Sequence, residues 1–195
     1  MPPELAGHPD RLKWNARYSS GFTPSFTPHP LAEEALALPL PDGPVLELAC
    51  GPSGSALLAA AAGRPVTAVD ASDVGLGLLA GEARRRGLDG LITLVHADLG
   101  SWRPAAAAFS LVLCTGYWDR AVFGYAPAAV HAGGLLCWEA LTDAARRDRP
   151  HLPAEWCVGP GEPASLLPPG FVVLSQQDAG PEPPPRRRLL ARRQD

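Results

Sequence analysis

The chain has 195 residues, with 46% hydrophobic and 19% charged residues, a composition typical of one globular domain with a sizeable core. No apolar run approaches the roughly 18 residues that suggest a membrane span, and residues 1–4 lack the basic and apolar regions of a signal peptide. The net charge of −3 disfavours a long polyanion as the main partner. We therefore expect a cytoplasmic protein that binds neither membranes nor nucleic acid.

The chain contains four cysteines, and none of them forms a Cys-x-x-Cys pair. This spacing argues against a zinc site, so we predict no metal. Three of the cysteines lie in or beside apolar runs, which favours buried, reduced thiols that act as small hydrophobic side chains.

Residues 1–43 are rich in proline and enclose two predicted helices, at 10–18 and 30–38. Pro30 suits the first position of the second helix. This segment is predicted to be a helical cap laid over a core that occupies residues 44–195, and cap and core together form a single domain.

From residue 44, short apolar segments alternate with helical ones. The predicted strands, in chain order, cover residues 45–50, 66–70, 92–95, 109–114, 135–139, 171–175 and 187–192. The predicted helices lie at 55–62, at 73–86 and near 126–131, and a long proline-containing connection covers 141–169. This alternation indicates an α/β fold with a Rossmann-like, doubly wound sheet of seven strands and helices on both faces.

The connection between the last two predicted strands, at 176–186, contains four prolines and no helical pattern. Such a connection favours an antiparallel pair, so the mostly parallel sheet should have one late antiparallel strand. The arginines of 186–193 fit either phosphate binding or an edge strand whose charges prevent aggregation.

Acidic residues lie at the carboxyl ends of the first three predicted strands: Glu47, Asp70 and Asp98. Ligands of open α/β sheets bind outside these ends. The glycine turn at 51–54 would let a ligand approach the backbone, and the following helix N-terminus favours an anion. Asp70 follows the turn by about twenty residues, the offset of an acid that binds ribose hydroxyls. Asp98 could accept from an adenine amino group, while Glu47 could instead bind local backbone N–H groups.

Five segments resemble the motifs of the class I S-adenosylmethionine-dependent methyltransferases: 45–54, 69–72, 97–99, 109–113 and 131–136. Within the class, 14–18 and 159–162 are similar to small bacterial enzymes related to the tellurite-resistance methyltransferase. The resemblance implies S-adenosylmethionine as cofactor and a set of cofactor-binding residues: Trp14, Arg17, Tyr18, Glu47, Ala49, Gly51, Gly54, Asp70, Ala71, Ala97, Asp98, Leu99, Cys114 and Thr115. The chain departs from the family at Ser53-Gly54, where glycine usually comes first, and at Ser110 and Ala132.

Candidates for catalysis and acceptor binding are Tyr117, Arg120 and His151. In the resemblance, the segment after the fourth strand lies beside the transferred methyl group. Arg120 could hold an anionic acceptor or could be a surface residue paired with Asp119. His151 could remove an acceptor proton or could be an exposed loop residue. Trp14 and Tyr18 share a helix face, which serves either as a lid over the cofactor or as a packing face on the sheet.

The leading hypothesis is in-line methyl transfer to a small-molecule acceptor by a monomer or homodimer. A nucleotide-dependent oxidoreductase is an alternative, although the turn lacks the Gly-x-Gly-x-x-Gly spacing. A second alternative is a protein that binds S-adenosylmethionine without catalysis.

Overall fold

The computed structural model describes residues 2–179 and 184–194, and helices pack on both faces of one sheet within these ranges. The α-helices are α1 (Pro9–Ser19), α2 (Pro30–Ala37), α3 (Gly54–Ala61), α4 (Asp73–Arg85) and α5 (Arg120–Ala129). The strands are β1 (Val45–Leu48), β2 (Val66–Asp70), β3 (Ile92–His96), β4 (Phe109–Thr115), β5 (Val130–Leu141), β6 (Phe171–Ala179) and β7 (Arg186–Arg193). Short 3₁₀ helices lie at Pro3–Leu5, Asp89–Leu91, Asp143–Arg147, Ala154–Trp156 and Ala164–Leu166.

The seven strands form one sheet in the order β3-β2-β1-β4-β5-β7-β6. Strands β1 to β5 pair in parallel, and β7 is antiparallel to both of its neighbours. The predicted fold class and the late antiparallel strand are therefore confirmed. The chain order reverses between β1 and β4, which makes the carboxyl ends of these strands the expected ligand site.

Of the two interpretations of the arginine-rich strand, the edge strand is wrong. β7 lies inside the sheet between β5 and β6, and β6 forms the edge. The buried centre of β7, Leu189–Ala191, explains this position, because apolar side chains on both faces need cover from both layers. The prolines nearby predicted the turn correctly but did not predict which strand of the pair lies outside.

The helix predicted near 126–131 is also misplaced. α5 begins at Arg120 because the Asp119 carboxylate accepts hydrogen bonds from the backbone N–H groups of Ala121 and Val122, at 2.7 and 3.1 Å. The helix ends at Ala129, and His131 belongs to β5. The apolar pattern of 126–131 thus spans the end of a helix and the start of a strand.

The two faces of the sheet bury separate clusters. On one face, α5 covers Leu46, Leu48 and Val112, together with the aromatic group Trp118, Phe123 and Trp138. On the other, α2, α3 and α4 cover alternate residues of the same strands, among them Val45, Leu111 and Leu113. Because Leu31, Ala32 and Ala35 of α2 lie in this second cluster, the N-terminal segment shares the core of the sheet. The boundary at residue 44 stays a prediction.

Gly54, the first residue of α3, lies directly under the N-terminal segment. A Cβ atom at Gly54 would be 2.4 Å from the carbonyl oxygen of Phe26 and 2.5 Å from the carbonyl carbon of Thr27. Backbone atoms cannot move aside as a flexible side chain can. Glycine at position 54, where the family usually has another residue, therefore allows the backbone of the cap to pack this closely on α3.

We expect Gly54→Ala to destabilise the protein by roughly 1–3 kcal/mol, because the added methyl overlaps backbone atoms. Gly77→Ala, in the exposed middle of α4 with no atom within 4 Å of the added Cβ, is the matched control. The control should stabilise the fold by about 0.5–1 kcal/mol. Urea unfolding of both variants measures the difference, and equal effects of the two substitutions would contradict the packing described here.

Candidate functional site

A cavity of about 870 Å³ lies at the carboxyl ends of the parallel strands, a size within the usual range of small-molecule sites. The cap covers one side of it with Trp14, Tyr18 and His29. The strand ends and the turns after them supply the remaining lining residues: Ala49, Cys50, Asp70, Thr115, Gly116, Tyr117, Glu139, Ala179, Pro184, Arg186 and Arg188.

The Asp70 carboxylate joins the ends of β1 and β2. It accepts hydrogen bonds from the backbone N–H groups of Gly51 at 2.8 Å and Ser72 at 2.7 Å, and the residue is buried. Burial raises the pKa of this carboxyl, while the hydrogen bonds from Ser72 and Gly51 oppose the rise. Asp70 lines the cavity, so the predicted ribose-binding acid is placed where a ligand can meet it.

The turn after β1 is shaped for close contact with the cap. Ala49 and Gly51 both have left-handed backbone conformations, with φ of 50° and 53°. A Cβ atom at Gly51 would be 2.7 Å from the Tyr18 hydroxyl oxygen. Trp14 stacks on Tyr18 with ring centroids 5.7 Å apart. The helix face predicted as a lid thus lies over this turn and lines the cavity.

Glu47 lies beneath the turn and does not line the cavity. Its carboxylate accepts from the hydroxyl of Ser53, whose oxygen is 2.8 and 2.7 Å from the two carboxylate oxygens. The same hydroxyl oxygen accepts from the backbone N–H of Ala56 at 3.0 Å and caps α3. Serine in place of the family's usual glycine therefore connects a buried acid to a helix N-terminus. Burial raises the pKa of the Glu47 carboxyl to about 7, although the Ser53 hydrogen bond opposes the rise.

The predicted adenine-binding group lies outside the cavity. The Asp98 carboxylate accepts from the backbone N–H of Gly100 at 2.9 Å and lies 3.5 Å from Nε2 of His8. Ala97 and Leu99 are buried in the cluster under α5, and Ala71 lies at the end of β2 without lining the cavity. Asp98 therefore lies against His8 of the cap and does not line the first cavity.

Sequence reasoning did not predict that four residues would lie together in the wall of the cavity. They are His29, Glu139, Arg186 and Arg188. Glu139 at the end of β5 is only 2% exposed, and its carboxylate lies 2.6 Å from Nε of Arg188, 3.3 Å from Nη1 of Arg186 and 3.2 Å from Nε2 of His29. Burial alone would raise the pKa of Glu139, but the hydrogen bonds from His29 and Arg188 and the charge of Arg186 lower it to about 2. The carboxylate is therefore ionised at neutral pH.

The sequence contained a signal for Glu139. It ends the predicted fifth strand, just as Asp70 ends the second. The signal for the arginines was their cluster at 186–193, but an edge strand was an equally good interpretation. Only the position of β7 beside β5 places Arg186 and Arg188 on Glu139.

A second cavity, of about 600 Å³, adjoins the first, because Trp14, Gly116, Tyr117 and Arg186 line both. Its other walls include the side chains of Lys13, Trp118, Arg120, Arg149 and Trp156. The turn that carries Tyr117 is fixed by the Trp138 indole, which donates to the Tyr117 carbonyl at 2.9 Å.

The predicted catalytic residues are not brought together. Tyr117 lies where the two cavities meet, and Arg120 lines the second cavity. Arg120 does not pair with Asp119; its guanidinium makes two hydrogen bonds with Glu162, at 2.7 and 3.0 Å. His151 is exposed and lines neither of these cavities.

Three predicted cofactor residues remain to be placed. Arg17 is exposed, with its guanidinium near the rings of Trp14 and Phe22, and lines neither cavity. Cys114 is buried at the end of β4, and Thr115 after it lines the first cavity. Within residues 2–179 and 184–194, no group of His, Cys, Asp or Glu side chains could hold a metal ion. No helix in these ranges is long and apolar enough to cross a membrane.

Comparisons with known proteins agree with this geometry. Residues 45–131 match the family model described as a methyltransferase domain. The fold is similar to that of a protein solved in work on the conversion of a disulfide bond into a thioacetal group during echinomycin biosynthesis, with a TM-score of 0.71, 19% identity and coverage of 94% of this chain and 93% of that one. No curated protein matches the chain by sequence.

Two further solved structures have the same fold. TehB from Haemophilus influenzae has a TM-score of 0.69 and 14% identity, covering 92% of this chain and 67% of that one. The magnesium protoporphyrin IX methyltransferase of Synechocystis PCC 6803 has a TM-score of 0.65 and 17% identity, covering 84% and 79%. Residues 45–131 thus match a methyltransferase domain, and the sheet and helices around it have the class I methyltransferase fold, which supports an enzyme that uses S-adenosylmethionine. The comparisons give no support to an oxidoreductase or to a protein without catalysis.

The raised pKa of Glu47 predicts a pH-dependent stability. The folded chain keeps this proton up to about pH 7, whereas the ordinary value is 4.5, so the free energy of unfolding falls as pH rises across this window. Glu47→Gln removes the titration, and we expect its stability relative to wild type to rise by on the order of 3 kcal/mol across the window.

Urea unfolding at a series of pH values measures this change. Glu33→Gln, which removes an exposed carboxylate from α2, is the control. If the difference between Glu47→Gln and wild type stays the same at every pH, the carboxyl does not titrate as described.

Proposed function

We propose that this methyltransferase acts on a small organic acceptor that binds in the second cavity, with the cofactor in the first. The observation that carries the proposal is that the two cavities meet beyond the carboxyl end of β4, at Gly116 and Tyr117. A methyl donor in one cavity and an acceptor in the other would have their reacting atoms at this junction.

The residues of the first cavity fit S-adenosylmethionine, which supplies an electrophilic methyl group when bound. Asp70 offers carboxylate oxygens to ribose hydroxyls, and its two backbone partners already fix its orientation. Trp14 and Tyr18 cover the site and exclude water. The Tyr18 hydroxyl occupies the space that a side chain at position 51 would need, so glycine there lets the cap pack on the turn.

Tyr117 is the group best placed to contact the reacting atoms. Burial raises the pKa of its hydroxyl, and the charge of Asp119 adds to the effect. The hydroxyl is therefore protonated at neutral pH and acts as a hydrogen-bond donor, not as a base. Arg120 would position an acceptor from the second cavity, and the proposal assigns no step to His151.

The second cavity favours an acceptor with a planar or apolar part. Its lining residues include Trp14, Trp118 and Trp156, and aromatic residues bind such groups well. The magnesium protoporphyrin IX methyltransferase, a neighbour in fold, is named for a small-molecule acceptor, which supports this class. The cytoplasmic location and the monomeric or dimeric state stay predictions.

The direct test is methyl transfer from labelled S-adenosylmethionine to a panel of phenols, thiols, amines and oxyanions. We expect transfer to at least one organic acceptor with an aromatic or apolar body. Binding of S-adenosylhomocysteine without turnover would instead favour a protein without catalysis. Binding of NADH without binding of S-adenosylhomocysteine would favour an oxidoreductase.

Asp70→Asn should weaken S-adenosylhomocysteine binding at least tenfold, because charged hydrogen bonds contribute about 1.5–3 kcal/mol. Asp89→Asn, at an exposed position before β3, is the control. Calorimetric titration gives both dissociation constants, and thermal unfolding shows whether each variant is folded. Equal affinities of folded Asp70→Asn and wild type would remove Asp70 from the site.

Trp156→Ala should raise the acceptor KM roughly tenfold, about 1.4 kcal/mol, and leave the dissociation constant of S-adenosylhomocysteine unchanged. Trp156 lines only the second cavity, and its indole is 44% exposed. Leu166→Ala is the matched control, since Leu166 is 40% exposed in the same connection and lines neither cavity. An unchanged KM in Trp156→Ala would place the acceptor elsewhere.

A further inference from the structure

The helix N-terminus that the sequence offers to the cofactor carboxylate is packed beneath the cap. The backbone of Phe26 and Thr27 covers Gly54, and the Ser53 hydroxyl oxygen accepts a hydrogen bond from the backbone N–H of Ala56. Residues 54–56 are buried. Among the described residues, those from 51 to 56 do not line the first cavity. A carboxylate in this cavity therefore does not reach the backbone N–H groups at this helix N-terminus.

His29 connects the first turn of α3 to the buried Glu139. Its backbone N–H donates to the Ser55 hydroxyl oxygen at 3.0 Å, and its Nδ1 accepts from the backbone N–H of Leu31 at 3.1 Å. Because Nδ1 is an acceptor, the ring proton is on Nε2, which lies 3.2 Å from the Glu139 carboxylate. The group formed by His29, Glu139, Arg186 and Arg188 is thus adjacent to the covered helix N-terminus.

This group forms the end of the cavity opposite Asp70. In the sheet, β1 and β4 separate β2, which carries Asp70, from β5, which carries Glu139. Three strand spacings amount to about 14 Å. An elongated ligand whose ribose lies on Asp70 and that extends along the cavity past β1 and β4 would bring its other end to this group.

The group has a net positive charge, since the two guanidinium groups of Arg186 and Arg188 contact the single carboxylate of Glu139. Glu139 is buried, but the side chains of Arg186 and Arg188 are 35% and 27% exposed and line the cavity. Each contacts Glu139 through one nitrogen, and a guanidinium has about five N–H donors. Within the described residues, both arginines can offer further donors to a ligand.

We propose that Arg186 and Arg188 bind the carboxylate of the methionine end of S-adenosylmethionine, in place of the covered N-terminus of α3. Glu139 is a positioning residue, because it contacts both guanidinium groups, and His29 acts through its own contact with Glu139. Planar guanidinium groups suit two-pronged binding of a carboxylate. The inference rests on the proposed placement of the cofactor in the first cavity.

The test compares two ligands that differ in the amino-acid part. S-adenosylhomocysteine carries the carboxylate, whereas 5′-methylthioadenosine keeps the adenosine and the thioether but lacks it. We expect Arg188→Gln to weaken binding of S-adenosylhomocysteine at least tenfold and to change binding of 5′-methylthioadenosine less than twofold. Arg186→Gln should show the same selectivity. Calorimetric titration measures the dissociation constants of both ligands for wild type and for each variant.

The control is Arg192→Gln, on the same strand. The Arg192 guanidinium donates to the carbonyls of Gly133 and Pro39, and the residue lines neither cavity. Both affinities should match wild type in this variant. Because Arg188→Gln leaves Glu139 with fewer partners, the double variant Arg188→Gln/Glu139→Gln removes both charges together. The double variant should still bind S-adenosylhomocysteine more weakly than wild type does, with binding of 5′-methylthioadenosine unchanged.

Other outcomes overturn the inference. Equal weakening of both ligands by Arg188→Gln and the double variant would show a general disturbance of the cavity. Unchanged affinity for both ligands, with lower transfer to anionic acceptors, would assign the arginines to the acceptor. If wild type binds neither ligand, the proposed placement of the cofactor fails, and this result is distinct from a loss confined to the arginine variants.

Discussion

The hydrogen bonds from Gly51 and Ser72 to the Asp70 carboxylate are the constraint on which the site depends. They hold together the turns after β1 and β2, and thus fix the backbone that forms the floor of the first cavity. A carboxylate buried at this point would be costly without partners, and the two N–H groups compensate for its desolvation. The left-handed backbone at Ala49 and Gly51 is the local distortion that makes this contact possible.

At the opposite end of the cavity, a second buried carboxylate, that of Glu139, is stabilised by different groups. Glu139 is buried like Asp70, but side chains from β7 and the cap, rather than backbone groups, surround it. Burial therefore raises the pKa of Asp70, whereas the partners of Glu139 outweigh its burial and lower its pKa to about 2. One end presents an acceptor and the other presents donors, a polarity suited to a ligand with hydroxyl groups at one end and an anion at the other.

The sequence predicted the fold almost completely because the strands are short, apolar and separated by clear breaks. It failed where one apolar pattern crossed two elements, as at 126–131, where Asp119 caps a helix that begins earlier than periodicity indicates. Asp70 could be predicted from its offset to the glycine turn. The group at Glu139 could not be assembled, since its members lie far apart in the chain and meet only through the pairing of β5 with β7. The backbone of Phe26 and Thr27 covers Gly54, and no sequence pattern predicts this contact either.

The position of β7 has a consequence for the order in which the site is made during translation. β7 inserts between β5 and β6 although it follows both in the chain. The Asp70 end of the cavity can form on a nascent chain whose β5 still lacks its outer neighbour. At about 5–20 residues per second, the ribosome takes seconds more to supply the arginines. Until then Glu139 has no guanidinium of β7 beside it, so the addition of β7 to the sheet converts an acidic strand edge into a cationic end of the cavity.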